Sequence, residues 1–508
     1  MRRGVVLTVL ATMLALAVAG TGAAAQDDTV VVALSSTLTT LETQDTTDTD
    51  SAAVRFSIYE GLVTINQHGE TVPELAESWD VSEDGRTYTF YLRKGIKFHD
   101  GTPFNAEAVK VNFDRLMTTQ RNTSAGAYFT MLESVEAVDE YTVVFRTKEP
   151  FGPFIRHLGI HAAQIMSPAA IEKWGDEVGQ HPVGTGPWKF VEWVRGDHVT
   201  LERNEDYWRE KPGAKRLIYR IVPEPSTRVA MLETGEADVI LRVTPEEVER
   251  LSNNPNIRVF KTQTARSMFF SIHTQRPHLA DPRVRQALNY AVDKEAIVKS
   301  ILGGAGVVAD SPLGSGVFGY TPIKTYEYNP QKARQLLTEA GYANRLSITI
   351  AAPRGRYVQD WLVAQAVQAQ LQAIGIKAQL NIVGDFASYI QQITSPDRAD
   401  LMFLGWAPST LDGEGGLYQI LHGDRANQFA NSSAFDNDEF DRYVDLARTS
   451  TDQEQRLEYY QKAQEIAVEE APMLFMYYQA VYTAVRDRIE GVYVLPSEQL
   501  IMREVRLK

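Results

Sequence analysis

Leu346-Ser347-Ile348-Thr349-Ile350-Ala351, then Tyr357 to Ile374, then Gly375-Ile376-Lys377-Ala378-Gln379-Leu380-Asn381-Ile382: the reading of this stretch decides the fold class. The first run is short, apolar and β-branched, as a strand is. The middle run carries its apolar residues at helical spacing, and Gly375 supplies the left-handed stop. In the last run Ile376, Ala378, Leu380 and Ile382 share one face of a strand. Strand, helix and strand in that order form a crossover unit, so a mixed or parallel sheet in an α/β protein follows.

The same alternation continues outward in both directions. Downstream, Asp400 to Trp406 reads as a buried strand that runs into a loop rich in Gly, Ser and acid. A helix from about Asp452 to Glu470 is ended by Pro472, and Met473 to Tyr478 reads as a strand. Upstream, Asp281-Pro282 and Asn329-Pro330 each place an N-cap before a proline at the first helical position. The second of these helices carries Ala333, Leu336, Leu337 and Ala340 and stops at Gly341. Near the start, Thr87 to Leu92 follows the turn Glu83-Asp84-Gly85 as a hairpin strand does, and Asn105 caps a helix bearing Val109, Phe113 and Leu116. No low-complexity linker or charge block interrupts the 508 residues, so the expectation is two α/β domains joined by short crossings.

The N-terminus sets an expectation about compartment. Arg2 and Arg3 precede an apolar run from Val5 to Ala19 and the small residues Ala23, Ala24 and Ala25. That order is a secretory signal peptide, with cleavage expected after Ala25. The run is shorter than the roughly 20 residues that span a bilayer. With 0 Cys there is neither a disulfide nor a thiol for lipid attachment, so the exported protein is expected to be free in a periplasm and to rest on its packed cores. A formal charge of −14 disfavours nucleic acid and anionic lipid as partners.

The chemistry of common enzymes is missing. No Gly-x-Ser-x-Gly elbow and no His-Glu-x-x-His pair occurs, and the 9 His are scattered singly. Gly184-Thr185-Gly186 lacks the third glycine of a dinucleotide fingerprint and reads as a tight turn between strands. The expectation is therefore no enzyme, no cofactor and no metal site. Two clusters suit a polar solute instead. Arg354, Arg356 and Tyr357 follow a strand, where open α/β sheets present ligands; guanidinium can clasp a carboxylate, and the helix that begins there offers N–H donors. The loop after Trp406 holds Ser409, Thr410, Asp412 and Glu414, whose oxygens suit an ammonium. The plainer alternatives are solvated loop charges for the arginines, turn acids for Asp412 and Glu414, and core packing for Trp406. Trp193 and its neighbours are ambiguous.

Further motifs carry a resemblance. Ile58-Tyr59-Glu60-Gly61-Leu62, Pro73-Glu74-Leu75-Ala76-Glu77-Ser78-Trp79, Leu92-Arg93-Lys94-Gly95-Ile96-Lys97-Phe98-His99-Asp100-Gly101-Thr102-Pro103-Phe104, Pro182 to Trp188, Arg203 to Trp208 and Asp281 to Leu288 together resemble the family 5 solute-binding proteins. These are the dipeptide, oligopeptide, nickel and glutathione receptors of ABC importers. The resemblance implies a two-lobed periplasmic binding protein fold (type II, cluster C-like) with chain crossings near Met268 to His273 and near Tyr478 to Tyr482. Lobe 1 would comprise residues 26–268 and 482–508 with an extra subdomain over about 55–166, and lobe 2 residues 269–481. It also implies a peptide-like solute, permease and ATPase partners at the inner membrane, and a monomer. Gly405-Trp406-Ala407-Pro408-Ser409-Thr410 with Asp412 and Glu414 is similar to the glutathione-binding branch. Dipeptide receptors carry an aspartate near Ser409; its absence leaves Asp412 or Glu414 as the ammonium partner, while Arg356 matches the place of the carboxylate anchor. Other peptides or a nickel chelate are the competing ligands, and an exported enzyme or a peptide-binding chaperone is the reading from another class.

Overall fold

Two unusually long strands organise the molecule, and their composition explains why. Met473–Arg486 opens with thirteen residues of which only Gln479 and Thr483 are polar, and Ile257–Ile272 pairs with it antiparallel along almost its whole length. A run apolar on both faces is stable only when covered on both, which makes these central strands. In the computed structural model, which describes residues 28–45, 48–118, 123 and 125–508, they lie in the middle of an eleven-stranded mixed sheet. The expected signal peptide, residues 1–25, falls outside the described residues.

On one side of this pair lie Leu401–Trp406, Ser347–Pro353 and Lys377–Val383; on the other lie Val239–Leu241, Thr29–Leu34, Arg216–Ile221, His198–Arg203 and Trp188–Val194. The crossover unit appears as read, with Ser347–Pro353 parallel to Lys377–Val383 and the helix Asp360–Ala373 between them in sequence. Register slips between Gln263 and Ser267, opposite Tyr478 to Ala480. Before that bulge the long strand belongs with the half-sheet of Thr29–Leu34 and Val239–Leu241, the first half-sheet, and after it with that of Leu401–Trp406 and Ser347–Pro353, the second, where it also pairs with Leu401–Trp406.

Each half-sheet is packed on both faces, by separate cores. A further core is built from residues of the segment Leu62 to Ile165 around a four-stranded antiparallel sheet, in the order Ala76–Val81, Thr87–Leu92, Thr142–Thr147, Leu132–Asp139. Its helix Ala106–Thr118 starts where Asn105 Oδ1 accepts the Ala108 N–H at 3.0 Å. The other caps read from sequence also form: Asp281 and Asn329 each accept a first-turn N–H of their helices, and Asp452 does the same for the helix Gln453–Glu470. Gly184-Thr185-Gly186 does not turn between two strands. It passes so close to the end of helix Thr49–Ile58 that a Cβ at Gly184 would sit 2.1 Å from Ile58 O. Its glycines allow that approach, and Thr185 Oγ1 donates to the buried Glu60 at 2.8 Å. Trp193 lies on the edge strand with Arg195 stacked over it at 3.5 Å.

Candidate functional site

The loop after Ser347–Pro353 shows how sequence builds one wall of a site. Asp360, buried at the start of its helix, accepts the backbone N–H groups of Gly355 at 3.1 Å, Arg356 at 2.8 Å and Tyr357 at 3.0 Å. Gly355 permits the tight path with φ of +86°. These amides are therefore satisfied within the chain, contrary to the expectation that this helix start would offer N–H donors to a solute. What the loop presents is side chain. Arg356 is exposed, with its guanidinium carbon 5.3 Å from the Tyr357 ring and 5.0 Å from the Phe386 ring, and no carboxylate among the described residues pairs with it. Two aromatic faces hold it, and its charge helps hold the Glu498 carboxyl low without a close ion pair.

Arg356 lines a cavity of about 730 Å³. Tyr357, Trp406 and Ser409 line it too, so four of the eight residues singled out from sequence come together. Its far wall comes from the other half-sheet and its connections, including Asp50, Arg242 and Glu498, and Arg266 and Gln479 enter from the two long strands next to the register slip. Tyr357 is buried against Phe403 and Phe386, and Trp406 is fixed by its indole N–H, which donates to Gly415 O at 2.7 Å.

The other four residues fall elsewhere. Arg354 is exposed and leans on Trp361 at 5.0 Å, outside the cavity. Thr410 is fully buried behind the wall. Glu414 lines a neighbouring cavity, with Oε2 3.4 Å from His157 Nε2 and Oε1 3.8 Å from Arg448 Nε. Asp412 is 0% exposed: Arg456 Nη2 donates to both its oxygens at 2.8 Å, Tyr460 Oη donates at 2.8 Å, and Arg156 Nε lies 3.8 Å away. Burial alone would raise the Asp412 carboxyl, but the Arg456 and Arg156 charges outweigh it and hold its pKa below the usual aspartate value. An anion so enclosed has no face left for a solute. Its place is the seam between the Leu62 to Ile165 unit and the second half-sheet, where Arg156 Nη1 donates to Leu411 O at 3.2 Å and Gly152 N to Arg448 O at 2.8 Å.

Three features of the cavity escaped the sequence reading. Arg266 makes a two-pronged pair with Glu498, Nε to Oε1 at 2.7 Å and Nη2 to Oε2 at 2.9 Å. Burial would raise the Glu498 carboxyl, but Arg266 more than offsets it and the net pKa is lowered. Arg242 faces Asp50 at 3.2 Å. Both Arg242 and Glu498 hold positive φ, +55° and +74°, a strained geometry that clusters at ligand sites. Gln479 Oε1 is buried without a hydrogen-bond partner. A signal existed for one of them: Gln479 is the lone large polar residue in the otherwise apolar run Met473 to Val485, where a polar side chain needs a reason. Among the described residues no three His, Asp or Glu lie close enough to hold a metal ion.

The arrangement offers a small zwitterion one guanidinium outside any close ion pair, whose charge also helps hold the Glu498 carboxyl low, together with one unsatisfied amide oxygen, aromatic walls and two internally paired ion couples. Comparison with known proteins shows what the chain is similar to. Residues 70–428 match the family model of bacterial extracellular solute-binding proteins, family 5. Over 473 residues the chain is 33% identical to the glutathione-binding protein GsiB of Pectobacterium atrosepticum, covering 92% of each chain. Among solved structures, HbpA2 from Haemophilus parasuis superposes with a TM-score of 0.86 at 29% identity, over 94% of this chain and 100% of that one. The periplasmic binding protein DppA from Helicobacter pylori, solved with the peptide STSA, gives 0.78 at 30% identity over 94% and 98%.

Proposed function

The chain belongs to the bacterial extracellular solute-binding proteins of family 5, with their two-lobed α/β fold, and from that premise we propose that it captures glutathione or a short peptide for an ABC importer. The observation that carries the reading is the free guanidinium of Arg356, held between Tyr357 and Phe386 on the wall of a cavity that both half-sheets line. In this reading Arg356 takes a ligand carboxylate and Gln479 Oε1 accepts from the ligand's ammonium or amide N–H. Tyr357, Trp406 and Ser409 form the contact wall.

Capture works by closure. Residues 26–268 with 482–508 form one lobe, carrying the extra subdomain over about 55–166, and residues 269–481 form the other. The register slip at Gln263 to Ser267 is where the long strands flex. A solute touching both walls favours the closed arrangement, which permease and ATPase partners then read. The protein acts in the periplasm as a free monomer after removal of residues 1–25, without lipid, and turns nothing over. No helix among the described residues is long and apolar enough to cross a membrane, which fits that reading.

Titration calorimetry with glutathione and with the peptide STSA tests it. Truncating one partner of a buried, hydrogen-bonded charge pair typically costs about 2 to 5 kcal/mol, so Arg356→Ala should weaken binding roughly 30-fold or more. Wild type that binds the peptide and no glutathione would move the ligand to the peptide receptors; wild type that binds neither removes the reading.

A further inference from the structure

A helix is ordinarily capped by the residue just ahead of it, whose side chain reaches forward to the first free N–H groups. At the helix Asp360–Ala373 the direction is reversed. Gln359, in the capping place, stands in the left-handed region with φ of +52° and its side chain caps nothing. Asp360, the first helical residue and 1% exposed, reaches back instead. Its Oδ1 accepts the N–H groups of Gly355 at 3.1 Å and Trp361 at 2.8 Å, and its Oδ2 those of Arg356 at 2.8 Å and Tyr357 at 3.0 Å. A carboxylate has about four lone-pair sites, so the main chain uses all of this one's acceptor capacity.

Two consequences meet at Arg356. Its own N–H and those of both its neighbours are tied to one carboxylate, so the side chain sets out from a fixed point before it passes between Tyr357 and Phe386. An acid four residues after an arginine, across so tight a loop, is also a ready counter-ion for it. Asp360 has no lone pair left for that, and the guanidinium stays outside any close ion pair. The cavity shows the opposite arrangement at Arg266, whose guanidinium takes both oxygens of Glu498. Gly355, Arg356, Tyr357 and Val358 line the cavity, and Asp360 lies behind them.

Resting on the solute-capture reading, we infer that Asp360 is a positioning residue for the ligand's carboxylate: it holds the Gly355 to Tyr357 loop and, saturated by backbone N–H groups, leaves the Arg356 guanidinium to the solute. It acts on affinity only through Arg356. A ligand without that carboxylate gains nothing from it. Asp360→Asn isolates the role, since an amide keeps the size of the side chain but replaces one acceptor oxygen by a donor, which faces two of the N–H groups and undoes half of the clamp.

The probes are glutathione and the peptide STSA, each as the free acid and as the C-terminal amide, titrated by calorimetry into the full protein. Through Arg356, wild type should prefer acid to amide by roughly 30-fold or more. Residues in one hydrogen-bond network couple by factors of roughly 2 to 100, and Asp360→Asn should shrink the preference about 10-fold by weakening the acid and sparing the amide. Added to Arg356→Ala, it should change neither. Should Asp360→Asn fail to fold, Gly355→Ala disturbs the same loop with Asp360 intact: its Cβ meets nothing within 4 Å, but a φ of +86° strains any side chain, and the preference should shrink likewise. Acid and amide weakened alike, or a preference that survives, overturn the role of Asp360 and leave the solute-capture reading standing. Wild type that binds acid and amide equally removes the Arg356 anchor and this inference with it; wild type that binds none of the four probes removes the capture reading as well.

Discussion

Arg356 and Asp412 present the same face to a sequence reader: a charged residue in a Gly-rich loop just after a strand. In the fold they are opposites. Arg356 has aromatic neighbours and no counter-ion among the described residues; Asp412 has Arg456, Tyr460 and Arg156 packed around it and no exposure at all. The difference teaches that a charge stays available to a solute when the chain declines to neutralise it. A buried charge must be paired, and where the fold supplies the partner the solute cannot. The same rule sorts the rest of the cavity, where Arg266 is consumed by Glu498 and Arg356 is not.

That contrast can be broken most forcefully at Asp412. Asp412→Asn leaves Arg456, 1% exposed, as an uncompensated buried cation, and breaking such a pair costs about 3 to 5 kcal/mol. Urea unfolding should show that loss, and any ligand binding of the folded fraction should stay near wild type. If affinity fell while stability held, Asp412 would be an anchor after all. The carboxyl pKa is lowered in the fold, so the aspartate's stabilisation is present above the ordinary value near 3.8 and disappears as pH falls through the lower folded value. The gap between variant and wild type should accordingly stay constant down to about pH 5 and close only in strong acid.

Arg356→Ala is the converse. It should leave the unfolding midpoint close to wild type, since an exposed side chain away from core features shifts stability by no more than about 0.5 kcal/mol, while costing binding about 2 to 5 kcal/mol. A protein that melts early and binds well would reverse the assignment.

His99 sharpens the comparison with a third case, a group kept uncharged. Its Nε2–H donates to Gly186 O at 2.9 Å and its Nδ1 accepts from Gly184 N–H at 3.4 Å, so a second proton has no place. Burial, aided by Lys189, lowers its pKa from 6.5 to about 4. Between those values the unfolded chain takes up a proton that the folded chain refuses, so stability falls as pH drops, by up to about 3 kcal/mol. His273, also held at about 4, adds to the slope. The urea midpoint of His99→Gln should depend less steeply on pH across this window; an unchanged slope would remove His99 from the account.

Arg354→Ala should do least. Exposed and merely stacked on Trp361, it is worth no more than about 1 kcal/mol to stability and nothing to binding. Calorimetry showing a tenfold weaker ligand would place it back at the site.

The sequence by itself determined what is local. Periodicity and caps set the crossover unit, with the helix read as Tyr357 to Ile374 appearing as Asp360–Ala373, and Asp281, Asn329 and Asp452 start their helices as read. Position after a strand singled out Arg356, Tyr357 and Trp406, but it singled out Arg354 and Asp412 equally and could not separate them. Tertiary structure alone decided which charges remain free, because each decision joins residues far apart in the chain. Asp412 meets Arg456 across 44 residues and Arg266 meets Glu498 across 232. Electrostatic pairing depends on distance in space and on exclusion of water, and neither is written in spacing along a chain.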